Sequence, residues 1–321
     1  MLQILLITFP FFALVLCGYL AARLRMLPLE AISGLNSFVL FFALPCMLYR
    51  FGSTTPLAQL LDGGVLMIWT LCALITVALT IAISRRQRIG WNDASFGALV
   101  AAFPNTGFMG VPLLVALLGP QAAGPVILTM LIDMVVTTSL CIALSRLDQA
   151  DEHGASKAAA NALRGVATNP LPWSILLGAL ASALSLTLPG PVLQTVGLLA
   201  DAASPVALFT IGAVLARSQM LAAAHQHAPI PLRSYLPVAA IKLLWHPLLV
   251  LLLGSAATAL GLPLGKSALT VIVLAAALPS ASNVSLLAER FGADNGRIAR
   301  IILLTTATAF LSFSLAVSLL T

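Results

Sequence analysis

The sequence predicts an all-α polytopic membrane protein with ten transmembrane helices, arranged as two inverted repeats of five. Three observations lead to this fold class. First, 60% of the 321 residues are hydrophobic and only 8% are charged, whereas soluble domains carry about 25% charged residues. Second, ten apolar segments are each long enough to cross a bilayer. Third, two of these segments are interrupted by proline and polar residues at matching positions.

Most of the predicted crossings are joined by short loops. They are 4–22, 29–49, 63–83, 95–118 and 121–144 in the first half, and 171–188, 191–216, 235–253, 266–290 and 297–319 in the second. One long polar connection separates the halves. We therefore assign 1–145 to the first repeat, 146–169 to a cytoplasmic linker and 170–321 to the second repeat. The linker is either flexible or holds an interfacial helix around 155–163.

The basic residues predict the orientation of the chain, because cytoplasmic loops carry an excess of Lys and Arg. With the N-terminus outside, thirteen of the sixteen basic residues fall at inside loops, whereas Arg50 and Lys266 fall outside and Lys242 lies within a crossing. We therefore expect both termini to lie outside the cytoplasm. The expected location is the inner membrane of a bacterium. The net charge of +6 is scattered, without the basic stripe typical of nucleic-acid binding, so no nucleic-acid partner is expected.

The fourth crossing is interrupted over 101–114, which reads AAFPNTGFMGVPLL. Pro104 and Pro112 each remove a backbone donor, and Gly107 and Gly110 remove side-chain constraint. In hydrocarbon every freed N–H and C=O needs another partner. Such a break is tolerated only where the backbone is buried in protein or lines a cavity.

The ninth crossing is interrupted in a similar way. Pro279 follows an Ala-rich approach, and small polar residues and Asn283 come after it. Four residues of the fourth crossing recur in the ninth at a constant offset of 173: Val111, Leu113, Leu114 and Gly119 match Val284, Leu286, Leu287 and Gly292. Because each half has an odd number of crossings, the second copy is inverted. Inverted repeats with matched helix breaks are typical of secondary transporters and indicate the binding site.

Two inverted broken helices are expected to cross near the bilayer midplane. Their half-helix N-termini offer N–H groups and partial positive charge, which suit a carboxylate. The predicted substrate-binding residues are Asn105, Thr106, Gly107, Gly110, Ser280, Ser282 and Asn283. The predicted helix-break prolines are Pro104, Pro112 and Pro279. The alternative is that these residues have only a structural role and pair the backbone groups that a helix kink leaves free.

Charged residues inside the membrane are rare and functional by default. Asp133 and Lys242 lie at similar depths in the fifth and eighth crossings, and either form a static ion pair or balance charge during transport. His246 shares a helix face with Lys242 and suits proton coupling, although a histidine beside Pro247 also suits a structural role. Asp201 in the seventh crossing either lines the pathway or tethers helices.

No pattern indicates an enzyme, a metal site or a cofactor. The four cysteines have no CxxC pairing and no nearby His cluster. The chain contains no P-loop, GxSxG or HExxH motif. We expect a protein without enzymatic activity or cofactor, coupled to protons or sodium if it is coupled to an ion.

The two interrupted segments resemble a known family. PNTGFMGVPLL, followed by GPQAAG, resembles the first crossover of the auxin efflux carrier family, and ALPSASNVSLLAERFGAD resembles its second crossover in the prokaryotic form. The similarity covers essentially the whole chain. It implies a fold similar to bile acid symporters, with a scaffold from crossings one, two, six and seven and a transport domain from the others. Asn105 and Asn283 would then face the substrate, Asp133 and Lys242 would lie in the transport domain, and Asp201 in the scaffold.

The resemblance implies a secondary active transporter of small organic anions, such as malate, malonate or auxin-like acids, working by elevator-type alternating access. It also implies a homodimer that pairs through the scaffold in the lipid bilayer. The loop at 145–169 is much shorter than in plant carriers, so regulation through it is not expected. Two alternatives remain: a membrane ligand sensor or binding protein on the same fold, and a sodium/proton antiporter. The antiporter would need acidic residues at the crossover itself.

Overall fold

The computed structural model describes residues 2–54, 62–147, 170–224 and 231–321, and in these ranges the regular secondary structure is helical. We number the helices by predicted crossing and mark the two parts of an interrupted crossing a and b. They are α1 (Leu2–Arg23), α2 (Ala31–Thr54), α3 (Gly63–Arg86), α4a (Trp91–Ala102), α4b (Thr106–Leu118), α5 (Pro120–Leu144), α6 (Pro170–Ala183), α7 (Gly190–Ala224), α8 (Leu232–Ala259), α9a (Lys266–Ala277), α9b (Asn283–Arg290) and α10 (Asn295–Leu320).

Among the described residues, seven helices are long and apolar enough to cross a membrane, namely α1, α2, α3, α5, α7, α8 and α10. Shorter apolar helices occur in α4b, α6 and α9a. This pattern confirms an all-helical integral membrane protein. The predicted interfacial helix at 155–163, with almost all of the predicted linker, lies outside the described residues.

Two helix ends differ from the predicted crossings. α6 ends at Ala183, before the predicted limit of 188, because Ser185 adopts a left-handed conformation with φ of 52°. The Leu186 N–H then donates to the Ala181 carbonyl at 2.8 Å, which closes the helix end. α7 instead continues past the predicted limit of 216 to Ala224. Its last turns are rich in alanine, the residue with the highest helix propensity.

Close glycine contacts join the four helices expected to form the scaffold. Gly18 of α1 lies against the backbone of α7, and Gly212 of α7 lies against the backbone of α1. Gly52 of α2 and Gly178 of α6 make the same kind of contact with each other's helices. A Cβ atom at any of these positions would overlap backbone atoms. Small residues therefore let α1 pack on α7, and α2 on α6, as is common in membranes.

A buried arginine joins four of the remaining helices. Arg297 at the start of α10 is only 3% exposed, although the sequence assigns it to a predicted inside loop. Its guanidinium donates to the Ser234 carbonyl at 2.8 Å, to the Asp93 carbonyl at 2.7 Å and to Ser84 Oγ at 3.4 Å. Gly97 leaves room for it, because a Cβ there would lie 2.9 Å from the guanidinium. These contacts link α10 to α8, α4a and α3.

An ion pair links α2 to α7. Arg50 Nη1 lies 2.7 Å from Asp201 Oδ1, and the two side chains are 39% and 70% exposed. Of the two roles considered for Asp201, this contact agrees with the tethering of helices. An exposed pair of this kind adds about 0–1 kcal/mol to stability.

Candidate functional site

Both helix breaks form where a proline interrupts an otherwise apolar helix. Pro104 and Pro279 cannot donate to the carbonyls four residues before them. A proline also disfavours helical geometry in the residue before it. Accordingly Phe103 has φ −97° and ψ 100°, and Leu278 has φ −62° and ψ 155°. The chain is thus extended after α4a and after α9a.

The two breaks meet and satisfy each other's backbone. Pro104 and Ser280 form an antiparallel β-bridge. The Asn105 N–H donates to the Pro279 carbonyl at 2.8 Å, and the Ala281 N–H donates to the Phe103 carbonyl at 3.0 Å. Groups that would be costly to leave unpaired in hydrocarbon are therefore paired across the junction. The predicted crossing segments are in direct contact.

Several polar side chains at this junction are buried. Asn105 is 5% exposed and Ser282 is 9% exposed. In the described part of the chain, Thr106 Oγ1 and Ser280 Oγ are buried without a hydrogen-bond partner. Because buried polar atoms are nearly always bonded, these two hydroxyls are free to bind a ligand or water.

Asn105 and Asn283 line one small cavity, between the junction and the neighbouring helices. Its volume is about 30 Å³, which is room for water but not for an organic acid. Leu40 and Leu44 of α2, Leu171 of α6 and two methionines of α5 also line it. Ser282 and Asn283 also border a second gap, of about 10 Å³, toward α2 and α7. The junction thus faces the helices expected to form the scaffold.

The remaining predicted residues of the crossover take different positions. Gly107 lines the same cavity as Asn105. Gly110 lies against Leu278 of the other break, where a Cβ would be 2.7 Å from Leu278 Cδ1, so its small size lets the two segments pack closely. Pro112 does not break the helix, contrary to the prediction. The helix runs through it from Thr106 to Leu118, and Pro112 lies directly after a π-helical turn, in which the backbone hydrogen bonds span five residues instead of four.

Asp133 is fully buried and begins a π-helical turn in α5. Its Oδ1 atom accepts hydrogen bonds from Trp69 Nε1 at 3.1 Å and Thr137 Oγ1 at 2.9 Å. Its Oδ2 atom has no hydrogen-bond partner within the described ranges. π-helical turns of this kind occur frequently at functional sites.

Lys242 is also fully buried and lies in a π-helical turn of α8. Its Nζ atom donates to the Ala276 carbonyl at 2.8 Å and lies 3.3 Å from His246 Nδ1. The His246 ring is 5.3 Å from the Trp69 ring, and its Nε2 atom has no partner in the described part of the protein. Trp69 thus connects all three predicted coupling candidates into one buried cluster.

Asp133 and Lys242 do not form a direct ion pair, since the direct pair found among the described residues is Arg50–Asp201. Sequence reasoning missed Trp69, which joins the carboxylate to the histidine. One signal could have found it. Trp69 and Lys242 are separated by 173 positions, the offset that relates the two breaks.

Comparison with known proteins agrees with this architecture. A family model described as "Membrane transport protein" matches residues 4–317. A Rhizobium meliloti (strain 1021) protein named "Putative malonate transporter" is 30% identical over 300 residues, which cover 92% of this chain and 89% of that protein. An Escherichia coli (strain K12) protein named "Uncharacterized transporter YfdV" is 26% identical over 293 residues, covering 88% and 86%.

The family match extends over nearly the whole chain, and the two crossover motifs lie together in the structure. The chain therefore belongs to the membrane transport protein family, which is the auxin efflux carrier family that its crossover motifs resemble.

Proposed function

We propose that the protein is a secondary active transporter of small organic anions, with ten crossings in two inverted repeats. The observation that carries this proposal is the junction at Pro104 and Ser280, where two broken helices pair their backbones. The N-termini of α4b and α9b begin within three residues of that bridge. Both bring partial positive charge to one place inside the protein.

Hydrogen-bond donors at the junction suit a carboxylate. The amides of Asn105 and Asn283 offer N–H groups to the shared cavity. Thr106 and Ser280 add hydroxyls that lack partners among the described residues. Small carboxylates such as malonate or malate, or auxin-like acids, are the proposed substrates. The name of the Rhizobium meliloti relative supports this class.

Alternating access by an elevator movement explains why the cavity is small. At about 30 Å³, it must enlarge before a dicarboxylate can enter. The proposed scaffold of α1, α2, α6 and α7 is packed through glycines. The proposed transport domain includes the helices that Arg297 joins. Movement of the transport domain along the scaffold would open the junction to one side of the membrane and then to the other.

Transport by purified protein in liposomes tests this proposal. Uptake of labelled malonate, malate and indole-3-acetate is measured for the unmodified chain and for Asn105→Ala, Asn283→Ala and Thr106→Val. We expect the unmodified chain to move at least one of these acids and each variant to lose most of that flux. Thr195→Val is the matched control, because Thr195 is exposed on α7 and its hydroxyl bonds only within its own helix.

Each contrary outcome has a distinct meaning. Unchanged transport in both asparagine variants would disprove the assignment of the site. Binding of an acid without flux would favour the sensor or binding protein. Cation flux without any organic acid would favour the antiporter.

We also propose the orientation and assembly expected above: both termini outside the cytoplasm and a homodimer through the scaffold. The distribution of Lys and Arg supports the orientation. The first half of α7 exposes apolar side chains such as Val192, Leu193 and Leu198, which suit either lipid or a second copy. Labelling of single cysteines at positions 50 and 88 from the two sides of the membrane tests the orientation. Cross-linking from position 198 tests the dimer.

A further inference from the structure

The break in the ninth crossing leaves one backbone carbonyl without its helical hydrogen bond, and a charged side chain donates to that carbonyl instead. In a continuous helix the Ala276 carbonyl would accept from the N–H four residues later, on Ser280. The Ser280 N–H instead donates to Thr305 Oγ1 at 3.3 Å. The Lys242 ammonium donates to the Ala276 carbonyl at 2.8 Å. A cation on another helix thus replaces the lost backbone bond.

This carbonyl lies at the carboxyl end of α9a, where the helix dipole places partial negative charge. In secondary transporters, unwound carbonyls and the carboxyl ends of half-helices are the groups that coordinate coupling cations. Lys242 therefore puts its charge where such transporters bind a free ion. The side chain is fully buried, so the ammonium does not exchange with solvent in this conformation.

Two atoms that can bind a cation contact the ammonium, and a carboxylate interacts with it electrostatically. The Ala276 carbonyl is a hard oxygen donor, and the His246 Nδ1 atom lies 3.3 Å from the Lys242 Nζ atom. The Asp133 carboxylate interacts electrostatically with Lys242 and keeps one oxygen without a hydrogen-bond partner in the described chain. Hard oxygen ligands of this type suit alkali and alkaline-earth ions. These groups attract positive charge, and the covalently attached ammonium lies against two of them.

We propose that the Lys242 ammonium is a tethered cation that occupies the coupling-ion position at the carboxyl end of α9a, so that the transporter works without sodium. The inference rests on the proposed function and deepens it by excluding one coupling ion. It predicts different behaviour for two kinds of substitution at Lys242. A short polar side chain at this position should vacate a site that sodium can enter, whereas an apolar side chain of similar length should keep it filled.

Thermal unfolding in detergent, without any organic acid, tests the cation site separately from transport. Melting temperatures are compared in sodium chloride and choline chloride at equal ionic strength for the unmodified chain, Lys242→Ser and Lys242→Met. We expect no difference for the unmodified chain. Lys242→Ser should melt lower in choline and rise saturably by a few degrees with sodium, as ligand linkage requires. Lys242→Met should melt alike in both salts.

Three results would overturn the inference. One is a saturable sodium response of the unmodified chain. Another is a folded Lys242→Ser variant that does not respond to sodium. The third is a sodium response of Lys242→Met equal to that of Lys242→Ser. If the serine variant does not fold, uptake by the unmodified chain decides, because a requirement for sodium in liposomes contradicts a tethered cation. A chain that transports no organic acid but passes the melting test would refute the proposed substrate and not the cation site.

Discussion

The backbone N–H of Asn105 donates a 2.8 Å hydrogen bond to the carbonyl of Pro279, although the two residues belong to opposite halves of the chain. The Ala281 N–H makes the reciprocal bond to the Phe103 carbonyl at 3.0 Å. Each helix break therefore pairs backbone groups that the other leaves free. This mutual pairing explains how a membrane protein can carry two interruptions at depth without exposing backbone groups to lipid.

A disulfide should form between Pro104→Cys and Ser280→Cys. The two residues are opposite one another, with hydrogen bonds on either side, and such antiparallel pairs have Cα atoms about 4.5 Å apart. This separation falls within the range that a disulfide spans. The variant is made in a background without the native cysteines Cys17, Cys46, Cys72 and Cys141.

Mass spectrometry of peptides after mild oxidation should detect the linked pair. A matched control combines Pro104→Cys with Thr195→Cys on α7, an exposed position outside the junction. Folded double-cysteine protein that stays reduced would contradict the bridge.

Gly212→Ala should destabilise the protein strongly, whereas Gly197→Ala should not. Both glycines lie in α7, but a Cβ at Gly212 would overlap the Val15 carbonyl of α1, while a Cβ at Gly197 meets nothing within 4 Å. Overpacking costs about 1–3 kcal/mol and more where backbone must shift, while an unobstructed Gly→Ala change in a helix adds about 1 kcal/mol of stability. Melting temperatures in detergent measure both effects. Equal melting of the two variants would contradict the close packing of α1 on α7.

Gly97→Ala and Arg297→Ala should be non-additive. The alanine Cβ would lie 2.9 Å from the guanidinium, which three hydrogen bonds hold in place. Gly97→Ala should therefore cost about 1–3 kcal/mol in the unmodified chain but little in the Arg297→Ala background, where the obstacle is absent. A double-mutant cycle on unfolding measures the coupling. Additive costs would show that the arginine does not limit the space at Gly97.

Asp133→Asn should fold but lose most transport. The amide oxygen can still accept from Trp69 and Thr137, and the amide nitrogen would replace an oxygen without a partner in the described residues. The negative charge near Lys242 would be lost. Combining Asp133→Asn with Lys242→Met should restore stability relative to either single change, because an uncompensated buried charge is more costly than none.

Melting and uptake measurements on the two single variants and the double variant test this coupling. Thr138→Val is the control, because its hydroxyl bonds the Asp133 backbone carbonyl and not the carboxylate. Full transport by Asp133→Asn would remove Asp133 from the mechanism.

The two helix breaks could be predicted from the sequence. That one of the three predicted prolines leaves its helix intact could not. Pro104 and Pro279 break helices wherever they occur in a helix interior, because the missing N–H and the strain on the preceding residue are local properties. Pro112 has the same chemistry but lies directly after the π-helical turn at Thr106–Gly110, and the helix continues through it. Its position relative to the turn depends on where the chain resumes its helix after the junction, which the pattern of residues does not indicate.

The partners of the buried charges were not predictable for a related reason. Asp133 and Lys242 are expected within membrane crossings, and the structure buries both inside the protein, because intramembrane charges avoid lipid. Which acceptor Lys242 finds depends on the buried carboxyl end of α9a. The Ala276 carbonyl there is available to Lys242 because the break diverts the Ser280 N–H to Thr305. Arg297 likewise appears at a loop in the sequence and becomes buried when three other helices enclose it.

The sequence by itself determined the membrane class, the apolar helices, the two proline breaks and the family, because composition, helix length and the missing proline N–H are properties of the chain alone. Only the tertiary structure decided that the breaks pair with each other, that Trp69 joins Asp133 to His246, and that Lys242 bonds a helix end and not a carboxylate. These contacts depend on how the helices pack in space. A buried donor takes whichever acceptor packing brings near, and distance along the chain does not specify it.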